Sequence, residues 1–102
     1  MIPSTPAPRW SARVDRSDWE TLTASAAARG VRVETLIADT VGELTPADLS
    51  TSAPREVVFV RAALPEHARV EIRERAYLAR VRVADVIHAL AERVRSAGCV
   101  PA

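Results

Sequence analysis

The amino-acid sequence predicts a mainly α-helical domain that contains two copies of one strand–helix–helix unit. We expect the four helices of the two copies to share one core. The first observation is a repeat at a spacing of fifty residues, in which Val31-Arg32-Val33 returns as Val81-Arg82-Val83. The second is that the matched positions fall on the apolar face of a helix with about 3.6 residues per turn. The third is that each copy has only about 35–40 residues, too few to bury a stable core, so the copies must pack on each other or on another chain.

The first copy is predicted over residues 9–44, after a mobile extended arm at residues 1–8 that holds three prolines and no charge. Residues 9–14 alternate polar and apolar side chains, which is typical of a strand with one buried face. Asp15 is positioned to cap the following helix, whose core residues are Trp19, Leu22 and Ala26 and whose end is Gly30. The second helix is predicted at 33–44.

A linker at 45–55, rich in Pro, Ser and Thr, leads to the second copy at 56–98, and a capped turn is predicted at Thr45–Asp48. The strand at 56–64 precedes a helix at 65–80, in which Pro65 occupies the first turn. Because Arg80 stands where the first copy has Gly30, we expect a turn of different shape there. The last helix is predicted at about 83–97.

Composition excludes several classes of protein. All 14 basic residues are arginine and the net charge is about +1, so any basic footprint must be local. The single cysteine, Cys99, excludes an internal disulfide and favours a reducing, cytoplasmic location. His67 and His88 have no nucleophile, carboxylate pair or metal-binding set at a useful spacing. We therefore expect no enzyme activity, no cofactor, no metal, no membrane span and no small-molecule substrate.

The order of a strand, a helix of about 14 residues, a short turn and a second helix resembles the ribbon-helix-helix family of bacterial DNA-binding proteins. Residues 60–66 resemble the strand-to-helix junction of that family, and residues 29–34 resemble its inter-helix turn. The resemblance implies that the two strands pair into an antiparallel ribbon on a pseudo-two-fold four-helix core, and that this ribbon enters the DNA major groove. It also implies that the tandem chain can bind side by side as a homodimer on a longer DNA site. Two features depart from the family pattern: one chain carries two copies, and Arg32 or Arg82 stands where a polar cap residue is usual.

The outer face of the predicted ribbon is the candidate base-reading surface. Since the apolar residues of each strand point to the core, the alternating set must point outward, and arginine there can bond bidentately to guanine while phenylalanine and alanine can contact a thymine methyl. The two strands carry unequal sets, which predicts an asymmetric recognition element. The predicted base-contacting residues are Arg9, Ser11, Arg13, Phe59, Arg61 and Ala63.

Arg32 and Arg82 are the candidate phosphate contacts. A cation at a helix N-terminus opposes the helix dipole, whereas a phosphate held between the arginine and the free backbone N–H groups reverses that effect. Such contacts set the register of the protein on DNA without reading its sequence. The alternative is that each is an ordinary solvated arginine beside a turn.

These observations favour a sequence-specific double-stranded DNA-binding protein, such as a bacterial or phage transcriptional repressor located at the nucleoid. An accessory factor of conjugation or site-specific recombination is an alternative. An antitoxin is less favoured because only about four residues follow the last helix. A protein-binding adaptor is favoured by the apolar run at 57–60 and the low net charge. A helix-turn-helix at 69–94 leaves the first copy unexplained.

Overall fold

The computed structural model describes residues 10–51 and 56–98. The predicted arm at 1–8, Arg9, the end of the linker at 52–55 and Cys99 therefore lie outside the described residues. Within them the chain is mainly helical, with one two-stranded antiparallel sheet. The elements in chain order are β1 (Trp10–Asp15), α1 (Arg16–Arg29), α2 (Val33–Val41), β2 (Val57–Ala62), α3 (Glu66–Ala79) and α4 (Val83–Gly98), with one 3₁₀ turn at Pro46–Asp48.

One apolar core is shared by both halves of the chain. Its buried residues come from both strands and all four helices, and the most deeply buried large side chains include Leu22, Ile37, Ile72, Ile87 and Leu90. Helix α1 packs on α4, α2 packs on α3, and α4 also lies against β1. Each half therefore covers the apolar face of the other, as the small size of a single copy requires.

The strand register follows the fifty-residue repeat. Ser11 pairs with Arg61, Trp10 pairs with Ala62, and Ala12 pairs with Val60. Ser11 and Arg61 are equivalent positions of the two copies, and the pairs on either side exchange under the same shift. At another point of the molecule Arg93 Nε donates to Glu43 Oε1 at 3.0 Å, and these residues are also fifty positions apart. Both pairs therefore join equivalent positions of the two copies.

Most element boundaries agree with the sequence predictions, and four local details differ. Pro65, predicted in the first turn of its helix, precedes α3 in an extended conformation. Helix α2 ends at Val41, earlier than the predicted residue 44, because the last residues turn back through a bond from Leu44 N–H to the Val41 carbonyl oxygen. Asp15 stands at the N-terminus of α1 without capping it, and its Oδ1 instead accepts the Glu56 backbone N–H at 3.1 Å.

The prediction of a differently shaped turn at Arg80 is wrong. Arg80 has φ 56° and ψ 42°, the same left-handed conformation as Gly30 with φ 69° and ψ 27°. Both turns return an N–H to the preceding helix, from Val31 to Ala26 and from Val81 to Ala76. Packing of both helix pairs thus imposes one turn geometry, although a side chain makes that conformation unfavourable in the second copy.

The predicted capped turn at Thr45–Asp48 is confirmed. The backbone N–H and the hydroxyl of Thr45 both donate to Asp48 Oδ2, at 2.8 and 2.9 Å. These two hydrogen bonds hold the pKa of the Asp48 carboxyl below its usual range. The turn directs the chain away from α2 toward Leu49, which packs against the core.

Candidate nucleic-acid interface

The two strands present one exposed face that carries the predicted base-contacting residues. Ser11 and Arg13 are exposed on β1, and Phe59 and Arg61 are exposed on β2, while Ala63 is exposed just after β2. The alternate residues point inward, with Val14, Val60 and Ala62 buried. We call the set Ser11, Arg13, Phe59, Arg61 and Ala63 the ribbon outer face.

The strand register places the predicted base-contacting side chains of the two strands opposite each other. Ser11 lies opposite Arg61, and Arg13 lies opposite Phe59, so the two arginines are on the same side of the sheet. The guanidinium carbon of Arg61 is 5.6 Å from the centre of the Phe59 ring. This distance is within the range of a cation–π contact, which contributes little at an exposed site.

Tryptophan packing supports the ribbon from behind. The rings of Trp10 and Trp19 are stacked, with their centres 6.5 Å apart and their planes 29° from parallel. Both are half-buried and packed against the core. The interpretation of both tryptophans as core residues is confirmed, and β1 is thereby fixed to α1.

Acidic groups gather at the end of the ribbon where β1 finishes. Asp15 accepts the backbone N–H of Glu56, and the Glu56 side chain forms an ion pair with Arg16. Both members of that ion pair are more than half exposed, so its contribution to stability is small. Its electrostatic effect is to offset negative charge beside the ribbon. Arg13, by contrast, has no acidic partner within the described residues.

The N-terminus of α2 lies beside the end of β2. Glu34, in the first turn of α2, accepts the backbone N–H of Ala63 at 3.3 Å. Arg32 stands immediately before this helix in an extended conformation, and its exposed side chain has no ion-pair partner in the described part of the chain. An anion next to the ribbon can therefore approach both the Arg32 guanidinium and the free N–H groups of the first turn.

Arg82 has different surroundings from Arg32. Its backbone N–H donates to Asp85 Oδ2 at 2.8 Å, and its guanidinium lies 3.4 Å from both Asp85 oxygens. Asp85 is only 1% exposed, so this buried carboxylate already offsets part of the Arg82 charge. The two copies thus offer unequal cationic sites, and a phosphate contact by Arg82 stays a prediction.

A buried polar cluster between α1 and α4 was missed by sequence reasoning. The Asp18 carboxylate is 2% exposed, and His88 Nδ1 lies 3.1 and 3.0 Å from its two oxygens. Arg95 Nη2 lies 3.4 Å from Asp18 and donates to Thr21 Oγ1 at 2.9 Å. The repeat contained the signal, because Asp18 aligns with the core residue Ala68.

Residues 10–51 and 56–98 hold neither a metal-binding cluster nor a helix suited to cross a membrane. No group of three or more His, Cys, Asp and Glu side chains could hold a metal ion. No helix there has both the length and the apolar character needed to cross a membrane.

Comparison of the chain with protein-family models, with curated proteins and with solved structures gives no match.

Proposed function

We propose that this chain is a sequence-specific double-stranded DNA-binding protein, of the kind that regulates transcription in bacteria or phages, and that its fold is a tandem ribbon-helix-helix. In this proposal the ribbon outer face enters the major groove. The geometry and chemistry of the ribbon support this function.

The observation that carries the proposal is the side-by-side pairing of β1 and β2 with Arg13 and Arg61 on one exposed face. Two paired strands are about 4.8 Å apart, so a ribbon with its side chains fits a major groove about 12 Å wide. Arginine matches the O6 and N7 acceptors of guanine, and the Phe59 ring can contact a thymine methyl. Arg32 lies beside the ribbon, where it can bind a backbone phosphate and fix the orientation.

The proposed recognition element is asymmetric. Ser11 and Arg61, which pair with each other and occupy equivalent positions of the two copies, are chemically unlike. On one side of this pair Arg13 faces Phe59, whereas the equivalent positions on the other side are Arg9, which lies outside the described residues, and Ala63. Each half of the ribbon therefore offers a different set of donors and apolar groups to the bases.

Selection from a randomised duplex library, followed by gel-shift titration, tests base reading. We expect a preferred sequence that is not palindromic, and we expect Arg13→Ala or Arg61→Ala to weaken binding to it by about 1–3 kcal/mol with relaxed preference at one position. Arg93→Ala is the matched control, because that arginine pairs with Glu43 away from the ribbon. Recovery of no preferred sequence, or equal losses in all three variants, would contradict the proposal.

The salt dependence of binding tests the phosphate contact separately. Arg32→Ala should weaken binding to all duplexes alike and should reduce the salt slope by about one unit. Arg82→Ala should have a smaller effect on the slope, because Asp85 already lies beside that guanidinium. An unchanged slope for Arg32→Ala removes the proposed phosphate contact while leaving base reading by the ribbon intact.

A protein-binding adaptor is the second candidate, because the ribbon also exposes apolar side chains. Val57 is 52% exposed and Phe59 is 58% exposed, and they point to the same side of β2. Such side chains can equally bury against another protein. A gel shift with random duplex at low and moderate salt separates the candidates: steeply salt-dependent association supports DNA binding, and no association at low salt supports the adaptor.

A further inference from the structure

The outer face of α3 exposes large apolar side chains that do not belong to the ribbon. Tyr77 is 82% exposed, Leu78 is 79% exposed and Val70 is 40% exposed. They lie opposite the side of α3 that is buried through Ala68, Ile72 and Ala76. We call Val70, Tyr77, Leu78 and the half-buried Val81 that follows the helix the α3 outer face.

The internal repeat shows that this fold does not require such residues. The positions of α1 equivalent to Val70, Tyr77 and Leu78 are Glu20, Ala27 and Ala28. Both helices make the same kind of packing with the second helix of the other copy. Only one of the two equivalent faces therefore carries a patch suited to burial against another surface.

The charged residues at the two ends of α3 are also unpaired. Glu66 begins the helix and Arg80 follows it, and neither side chain has an ion-pair partner among residues 10–51 and 56–98. Arg80 adopts a left-handed conformation that favours glycine, which the first copy has at Gly30. The side chains of Glu66 and Arg80 are both exposed, so each can form an ion pair with another molecule.

We propose that the α3 outer face binds the same face of a second copy of this chain, with the two α3 helices antiparallel. In that arrangement Val70 of each copy meets Tyr77 of the other, and Glu66 of each copy meets Arg80 of the other. In both pairs the midpoint between the two residue numbers lies near Arg73 and Glu74. One two-fold axis at that point therefore generates both contacts. Because α3 has an acid at its start and an arginine after its end, two antiparallel copies of the helix can form the same ion pair at both ends.

This interface closes on itself. A face that binds an identical face about a two-fold axis is used up in a dimer, so no filament forms. Leu78 adjoins two open clefts of about 530 and 260 Å³, the first lined in part by Tyr77 and Val81 and the second by Pro46 and Leu49. The partner's side chains can enter these clefts. Because a single helix pair is smaller than most stable interfaces, we expect association in the micromolar range.

Sedimentation velocity without DNA, over a wide range of protein concentration, tests the proposal. The wild-type chain should change from monomer to dimer as concentration rises. The double variant Tyr77→Ala/Leu78→Ala, which gives α3 the residues of α1, should raise the dimer dissociation constant at least tenfold. Val31→Ala is the control, since Val31 is also 40% exposed but lies on the first copy, and it should leave the dissociation constant unchanged.

Charge exchange tests the antiparallel arrangement itself. Glu66→Arg and Arg80→Glu should each weaken the dimer about threefold to tenfold at low salt, and the combined variant should recover wild-type association. Circular dichroism checks that each variant is folded. A wild-type chain that stays monomeric to the highest concentration, a dimer insensitive to the Tyr77/Leu78 double variant, or a failure of the combined charge variant to recover overturns the proposal. Since no DNA is present, the outcome is independent of the proposed DNA binding, and Arg61→Ala should dimerise normally.

Discussion

Removing the buried carboxylate between α1 and α4 should destabilise the fold. Asp18→Ala takes away the acceptor that faces His88 at 3.0 Å and Arg95 at 3.4 Å. The cavity left by this change should be small, because the equivalent position of the second copy is already the buried Ala68. The loss should therefore come mainly from the polar contacts.

The size of the effect follows from the exposure of the two partners. Breaking a fully buried ion pair costs about 3–5 kcal/mol, because the charge that remains is buried without a partner and without water to solvate it. Here the His88 and Arg95 side chains are 35% and 32% exposed, and Arg95 keeps its bonds to Thr21 and Glu92. We therefore expect a loss of about 2 kcal/mol, close to the value for one hydrogen bond to a charged group. For a domain of this size the corresponding decrease in Tm is about 8–16 °C.

Urea unfolding followed by circular dichroism measures the change. Asp18→Asn keeps an oxygen acceptor without the charge and should lose about half as much free energy of unfolding. Glu92→Gln is the control, because Glu92 is 56% exposed and its ion pair with Arg95 should contribute under about 1 kcal/mol. If the free energy of unfolding of Asp18→Ala is within about 0.5 kcal/mol of the wild-type value, the cost of burying the carboxylate offsets the gain from its contacts. That result would refute the reasoning.

Three further predictions concern the turns and the core. Arg80→Gly should raise the free energy of unfolding by about 0.5–1 kcal/mol at a concentration where the chain is monomeric, whereas Gly30→Ala should lower it by about 1 kcal/mol, although an added Cβ meets no atom within 4 Å. Asp48→Asn should be less stable than the wild type at neutral pH; because the folded-state pKa of Asp48 is depressed, its contribution is present above the unfolded-state pKa and is lost as pH falls through the folded-state pKa, so unfolding curves of the two proteins should converge in acid. Leu90→Ala should lower the free energy of unfolding by about 2–5 kcal/mol, because Leu90 is fully buried in the shared core; an unfolding midpoint equal to that of the wild type would contradict this placement.

The sequence predicted the elements and the ribbon face because both depend on periodicity. Alternation from Trp10 to Val14 determines which side chains are buried, and the apolar period of α4 determines its packed face. Alternation does not determine the strand register, since a slip of two residues keeps the same face buried. That Ser11 pairs with Arg61 depends on how the four helices pack, which requires the structure.

The errors have separate physical causes. The turn at Arg80 was predicted to differ because glycine prefers the left-handed conformation, but that preference is small compared with the packing of α3 on α4. Asp18 and its partner His88 are seventy residues apart, so the pattern of either helix alone does not reveal their contact. Arg82 has an acidic partner, Asp85, whereas the equivalent position beside Arg32 is Thr35. The sequence shows this difference in residue type, but it does not show that Asp85 contacts Arg82.

Because β1 and β2 belong to one polypeptide, the ribbon forms in a unimolecular reaction. A ribbon assembled from two separate chains dissociates on dilution, whereas this one persists at any concentration at which the chain is folded. Because one gene encodes both strands separately, a mutation can change the sequence of one strand without changing the other. A substitution at Phe59 has no obligatory counterpart on β1, so the two halves of the surface can diverge independently.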